Sequence, residues 1–215
     1  MQGLSEKASE IFIPVSKLEC IRDYSLIGGT ALALQIGHRL SDDLDFCKWP
    51  LPLKGDVDWP QIEKELKSIC HSVKVDVLDF NQVNFLADSV KLSFYSNQIR
   101  NAPSMAAKQF ANNLKVSDIT TIGSLKLEVM LRRSAFRDYY DLYSILKEGV
   151  SLKLLVDKAL QYSNNILSTK SILNFISNNN NFRKEVNFEL LNPRHQVSGT
   201  DIETFVKTIL KKEYV

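Results

Sequence analysis

Two aspartates one residue apart, Asp43 and Asp45, are the clearest chemical signal in this chain. On a β-strand, residues i and i+2 point to the same face. Two carboxylates there can share a hard divalent cation, and Mg²⁺ favours a few carboxylates completed by substrate phosphate oxygens. Upstream stands Gly28-Gly29-Thr30. A double glycine between a strand and a helix lets the backbone approach a ligand closely. The helix N-terminus beyond it offers free N–H groups and partial positive charge, which suit phosphate. Each half alone is commonplace, since Gly-Gly-Thr is often a capped turn and Asp-x-Asp occurs on solvated edges. In the order strand, Gly-Gly, helix, Asp-x-Asp strand, they set a phosphate cradle beside a metal site. The order excludes a P-loop, which needs Gly-Lys-Ser/Thr, and a dinucleotide fingerprint, which needs three spaced glycines.

A second group lies in LKLEVMLRRSAFRDYYDLYSIL. On one continuous helix Lys126, Arg133, Arg137 and Asp141 fall at i, i+7, i+11 and i+15, within roughly 80° of one another. Such a stripe spans on the order of 22 Å, so its ends cannot meet at one ion unless the helix breaks. Cations at its near end could hold a triphosphate, arginine through paired hydrogen bonds and lysine as a point charge. The plainer alternative is a solvated face with internal ion pairs, for which Arg137 and Asp141 have i,i+4 spacing.

The elements that must carry these groups follow from periodicity. Residues 5–21 read as a helix disturbed at Pro14. Tyr24 to Ile27 reads as a buried strand ending at the glycines, and Thr30 as the cap of the helix ALALQIGH. Asp43 to Cys47 alternates like a strand, with Leu44 and Phe46 toward the core. A loop from Lys48 to Pro60, a helix over 61–71 and strands at Val73–Phe80 and Ser89–Tyr95 follow. From Ile119 the pattern is helical, over 123–147, 151–162, 168–177 and 201–213. Asn178 to Asn181 reads as an exposed turn. The expected class is α+β: residues 1–115 as an α/β core with a small mixed sheet, and 116–215 as a helical region that completes the active site.

The 215 residues suffice for one large domain or two small ones. Hydrophobic residues make up 44%, charged residues 24% and the net charge is +2, which is globular and announces no nucleic-acid binder by bulk charge. Cys20, Cys47 and Cys70 form no C-x-x-C pair, which speaks against a disulfide scaffold and for a reducing compartment. We expect a cytoplasmic protein with neither a signal peptide nor a membrane span.

The stretch IGGTALALQIGHRLSDDLDF resembles the signature of polymerase-β-like nucleotidyltransferases, and more narrowly that of the AbiEii/AbiGii toxin family. The matching residues are Gly28 to Leu32, His38-Arg39-x-Ser41 and Asp43 to Phe46. The family's lysine followed by Arg-x-x-x-Arg-Asp-x-x-Asp-Leu is met by Lys126, Arg133, Arg137, Asp138, Asp141 and Leu142. The two blocks cover residues 26–46 and 123–143, and the likeness is loose outside them. The resemblance implies a nucleotidyltransferase that uses a nucleoside triphosphate with Mg²⁺ (or Mn²⁺) at Asp43 and Asp45. Gly28, Gly29, Thr30, Arg39, Ser41, Lys126, Arg133 and Arg137 would bind nucleotide or phosphate. Asp138 or Asp141 would act in catalysis. It further implies a bacterial toxin acting on RNA, at the acceptor end of tRNA, and countered by an antitoxin protein. Many polymerase-β-like enzymes carry a third carboxylate on a later strand. Here Asp76 is a candidate, and KLSFY offers only Ser93.

Other classes stay open from sequence alone. They are transfer to a small molecule or a protein, a metal-dependent glycosyltransferase using Asp-x-Asp, and a non-catalytic nucleotide-binding relative. The upstream Gly-Gly-Thr weighs against the second, and retention of both aspartates against the third. His38 and His71 lack zinc-ligand spacing, His195 reads as a surface residue, Cys47 as a buried side chain, and no Ser/His/Asp arrangement supports a hydrolase.

Overall fold

The computed structural model describes residues 2–49, 57–79, 81–96, 106–163 and 166–214. The chain divides into two compact units, Met1–Asp118 and Ile119–Val215. Part of the expected loop, Pro50 to Asp56, and the expected strand end Phe80 lie outside the described residues.

The first unit is built on a seven-stranded mixed sheet of order β3-β4-β5-β2-β1-β7-β6. The strands are β1 (Ser25–Ile27), β2 (Leu44–Lys48), β3 (Val73–Leu78), β4 (Gln82–Ala87), β5 (Val90–Ser96), β6 (Ala107–Ala111) and β7 (Leu114–Ser117). β2 runs antiparallel to β1 and parallel to β5, which places β2 at the sheet's centre. Alternation gives this sheet a core face and a polar face. Leu26, Leu44, Phe46, Val83, Phe85, Leu92 and Phe94 are essentially inaccessible. Phe46 stacks on its in-register neighbour Phe94 at 5.0 Å, and Tyr24 and Phe85 meet Phe94 edge-on.

Helix α1 (Glu6–Ser16) begins at the Ser5 cap and stops short of the expected residue 21. Pro14 has no N–H to continue the ladder, and Lys17 closes the last turn on Pro14 and Val15. Helix α2 (Gly28–Ile36) starts two residues earlier than Thr30 and ends at Gly37 in the left-handed region, φ 57°. Helix α3 (Trp59–Ile69) is capped by Asp58.

In the second unit the expected 123–147 helix is two helices, α4 (Ile119–Arg133) and α5 (Phe136–Lys147). Ser134 takes φ +50°, a left-handed conformation unusual for serine, and its carbonyl accepts from Arg183 N–H at 2.8 Å. α5 is buried from Asp138 through Leu146, so it forms the centre of this unit. Tyr139 stacks on Phe182 at 3.9 Å, and Tyr140 accepts from His195 N–H. Helices α6 (Leu152–Tyr162), α7 (Thr169–Ile176) and α8 (Gly199–Tyr214) match the expected segments. The Glu213 carboxylate caps α6 by accepting from Leu152 and Lys153 N–H and from the Ser151 hydroxyl. Among the described residues no helix is long and apolar enough to cross a membrane.

Candidate active site

β1 runs into α2 without a linker, so the first helical residue is Gly28 itself. Gly28 has φ +72°, and a Cβ there would stand 2.7 Å from Asp45 Oδ2. The registers explain the contact, because Ile27 pairs with Asp45 across β1–β2. The backbone thus enters the helix directly beside one carboxylate. The N-cap Ile27 offers no side-chain hydrogen bond, which leaves α2's first N–H groups without that usual partner.

Thr30 does not cap α2, a correction to the sequence reading. It lies inside the first turn, and its hydroxyl meets Ser41 Oγ at 2.8 Å and the Asp43 carbonyl. Gly29 is as tightly held, since a Cβ there would stand 2.5 Å from Arg39 Nη2 and 3.3 Å from Ser41 Oγ. Arg39 and Ser41 are buried, and Arg39 Nη1 donates to the Leu40 carbonyl. Ser41 is also bound through its backbone to Gly3 and Ser5. Gly29, Thr30, Arg39 and Ser41 therefore form a latch that fixes the start of α2 against the chain entering β2. His38 is fully buried in the same segment.

Asp43 precedes β2 and Asp45 lies within it, and both are half-buried while Leu44 and Phe46 face the core. Asp76, the proposed third acid, is on edge strand β3, three strand spacings from β2. At about 4.8 Å per spacing this is roughly 14 Å, too far to share a cation with Asp45. Sequence reasoning undervalued Ser93, which pairs with Asp45 in register on β5 and has 0% exposure. It also missed Asn84, which pairs with Ser93 on β4 and is buried. Only the strand order reveals this row, although the alternation in KLSFYS already sets Ser93 opposite Leu92 and Phe94.

The pair fits a small hard cation by donor chemistry: two half-buried carboxylates two residues apart, with a glycine backbone beside one of them. The thiols offer no competing chemistry. Cys47 is pushed up to about 12 by burial, and all three cysteines are free. A cavity of about 600 Å³ lies elsewhere in this unit, lined by Glu10, Pro14, His71, Lys74 and Asp88, and includes neither aspartate.

In the helical unit the break at Ser134 overturns the single-stripe geometry. Lys126 Nζ reaches Asp138 Oδ1 at 2.5 Å and Asp141 Oδ2 at 2.7 Å. An unbroken helix would separate these positions by about 18 and 22 Å. Arg133 binds Asp138 through Nε at 2.6 Å and Nη2 at 2.7 Å. Lys126 and both aspartates are buried, whereas the Arg133 side chain is 54% exposed. Burial opposes Asp138's charge, but the Lys126 ammonium and Arg133 guanidinium outweigh it and hold the carboxyl below its ordinary range. Arg137 is not in this cluster. It pairs with Glu185 at 2.9 and 3.1 Å, so the anticipated Arg137–Asp141 pair is replaced by a tertiary one.

A mixed sheet with a strand-to-helix glycine turn against Asp-x-Asp defines a nucleotidyltransferase fold. Comparison with known proteins agrees. The chain belongs to the family described as nucleotidyl transferase AbiEii toxin, type IV toxin–antitoxin system, whose model matches residues 22–196. It is 27% identical over 226 residues to an uncharacterised protein of Aquifex aeolicus (strain VF5), covering 99% of this chain and 98% of that one. Its fold is similar to a protein assigned as a nucleotidyltransferase of H. pylori, at 19% identity and TM-score 0.54 over 97% and 96% of the two chains. It is also similar to the antibiotic-resistance factor ANT(2")-Ia, solved with adenylyl-2"-tobramycin, at 12% identity and TM-score 0.53 over 74% and 99% of the chains.

Proposed function

We propose that this nucleotidyltransferase moves a nucleoside monophosphate from a nucleoside triphosphate to an acceptor hydroxyl of RNA, at the acceptor end of tRNA. It would act in the cytoplasm as the toxin of a pair whose antitoxin is a separate protein. One observation carries the reading: Gly28 sets the start of α2 directly beside the Asp45 carboxylate. Triphosphate oxygens suit the helix N-terminus, and a divalent cation suits the carboxylates beside it.

Asp43 and Asp45 would hold Mg²⁺ (or Mn²⁺), which supplies charge neutralisation for the phosphates and the developing oxyanions. The acceptor oxygen bonds to the α-phosphorus, the bond to the bridging oxygen breaks, and pyrophosphate leaves with the electron pair. The latch of Gly29, Thr30, Arg39 and Ser41 holds the phosphate seat rigid, so we assign Arg39 and Ser41 to positioning the seat. Resemblance alone carries the helical unit's roles: Lys126, Arg133 and Arg137 toward phosphate, and Asp141 or Asp138 toward the acceptor proton. Asp138 has both oxygens bonded to cations and a depressed proton affinity, which disfavours it as the base.

The test is incubation of the purified chain with total bacterial RNA, Mg²⁺ and each α-phosphate-labelled nucleoside triphosphate in turn. A discrete labelled RNA band identifies acceptor and base. Label on a small-molecule or protein acceptor with none on RNA would refute the RNA assignment. Expression in a bacterial host should arrest growth, and the Asp43→Ala form should not.

A further inference from the structure

Two carboxylates leave a divalent cation short of oxygens, since Mg²⁺ takes six in near-octahedral array. Among the described residues no group of three or more His, Cys, Asp or Glu side chains could hold a metal ion. Asp76 is excluded by its place on the sheet edge. The neighbour that does stand beside the pair is Ser93.

Asp45 and Ser93 are directly paired on parallel strands β2 and β5, so their side chains leave the same face about one strand spacing apart. Ser93 is 0% exposed, and its Oγ has no hydrogen-bond partner among the described residues. Burying a hydroxyl without a protein hydrogen-bond partner is unfavourable, and alanine would fill the position without that penalty. Its flanking residues Leu92 and Phe94 face the core, so the hydroxyl is the one polar side chain of 92–94 and points to the carboxylate side. One strand further, Asn84 already has its carboxamide oxygen bonded to Gln82 Nε2 at 3.0 Å. The unmet bonding capacity in this row is therefore at the position adjoining Asp45.

We infer that Ser93 Oγ is a third protein oxygen of the divalent-cation site formed with Asp43 and Asp45. A serine or threonine hydroxyl on Mg²⁺ is established chemistry in phosphate-binding loops. A neutral oxygen here, in place of a third carboxylate, gives a site that binds its cation weakly until substrate phosphates join. The inference rests on the assignment of Asp43 and Asp45 as the metal carboxylates, and the experiment separates the two.

Mn²⁺ binding to the full chain is measured without nucleotide, by loss of the free-ion paramagnetic resonance signal, with Mg²⁺ as competitor. Thermal unfolding is followed in parallel with and without Mn²⁺. Ser93→Ala should weaken Mn²⁺ binding about tenfold while its metal-free melting temperature stays level or rises. Ser93→Asp should melt lower than the native chain without metal, because two carboxylates then stand side by side, and should recover on Mn²⁺ addition. Unchanged Mn²⁺ affinity in Ser93→Ala overturns the inference and leaves Ser93 a small buried residue. Equal Mn²⁺ binding by Asp45→Asn and the native chain would overturn the carboxylate assignment itself, and the Ser93 inference with it.

Discussion

The carboxylates of the sheet unit and those of the helical unit contrast in how they are held. Asp43 and Asp45 are half-buried beside a helix end that lacks a side-chain cap and a hydroxyl that lacks a partner. Asp138 and Asp141 are fully buried around one ammonium, with a guanidinium added on Asp138. The first arrangement sets two half-buried carboxylates beside a helix N-terminus and an unpartnered serine hydroxyl. The second ties α4 to α5 across the Ser134 break and has a structural use whatever its part in the reaction. The lesson is that charge alone does not mark a site: the environment of each carboxylate decides whether it can take a ligand or already stabilises the fold.

Substitutions should split along that line. Lys126→Met removes the ammonium shared by two buried carboxylates, leaving Asp138 with Arg133 alone, and should cost about 3–5 kcal/mol of stability. Urea unfolding checks it, and a loss under 1 kcal/mol would break the comparison. Gly28→Ala meets both a positive φ and the Asp45 carboxylate. It should cost roughly 1–3 kcal/mol and abolish Mn²⁺ binding, measured by denaturation and titration on the same sample. The pH dependence sharpens the contrast. Asp138 has a folded proton affinity below its ordinary value of 3.8, so its stabilisation is present above that pH and is lost as pH falls through the lower folded value. Melting temperature should therefore drop on acidification below about pH 4, and Arg133→Ala should flatten that drop. The smallest effect belongs to Arg137→Ala. It removes a partly exposed ion pair with Glu185, and stability should change within about 1 kcal/mol.

What was legible in the sequence was local. Gly28-Gly29 next to a short apolar strand and Asp43-x-Asp45 in an alternating one announce themselves within twenty residues. The helical unit was readable as helices for the same reason. The break at Ser134 was not. Serine carries no breaker signal, and the conformation is held by Arg183, nearly fifty positions away. With the break hidden, Lys126 looked distant from the aspartates it contacts. Strand β4 escaped because its turn to β5 uses Asp88 and Ser89 at positive φ without glycine, and β6–β7 turns through Asn112 in the same way. The pairing of Ser93 with Asp45 depends on sheet order, which no local pattern encodes.

The most direct measurement compares label transfer by the native chain, Asp43→Asn and Asp45→Asn, each first shown to melt within a few degrees of the others. The substrates are Mg²⁺, an α-phosphate-labelled nucleoside triphosphate and bacterial RNA. If the sheet unit's carboxylates are the reaction centre, both variants keep their fold and lose transfer by about a thousandfold or more, a loss of several kcal/mol of transition-state stabilisation. Transfer at the native rate by either folded variant would contradict the account.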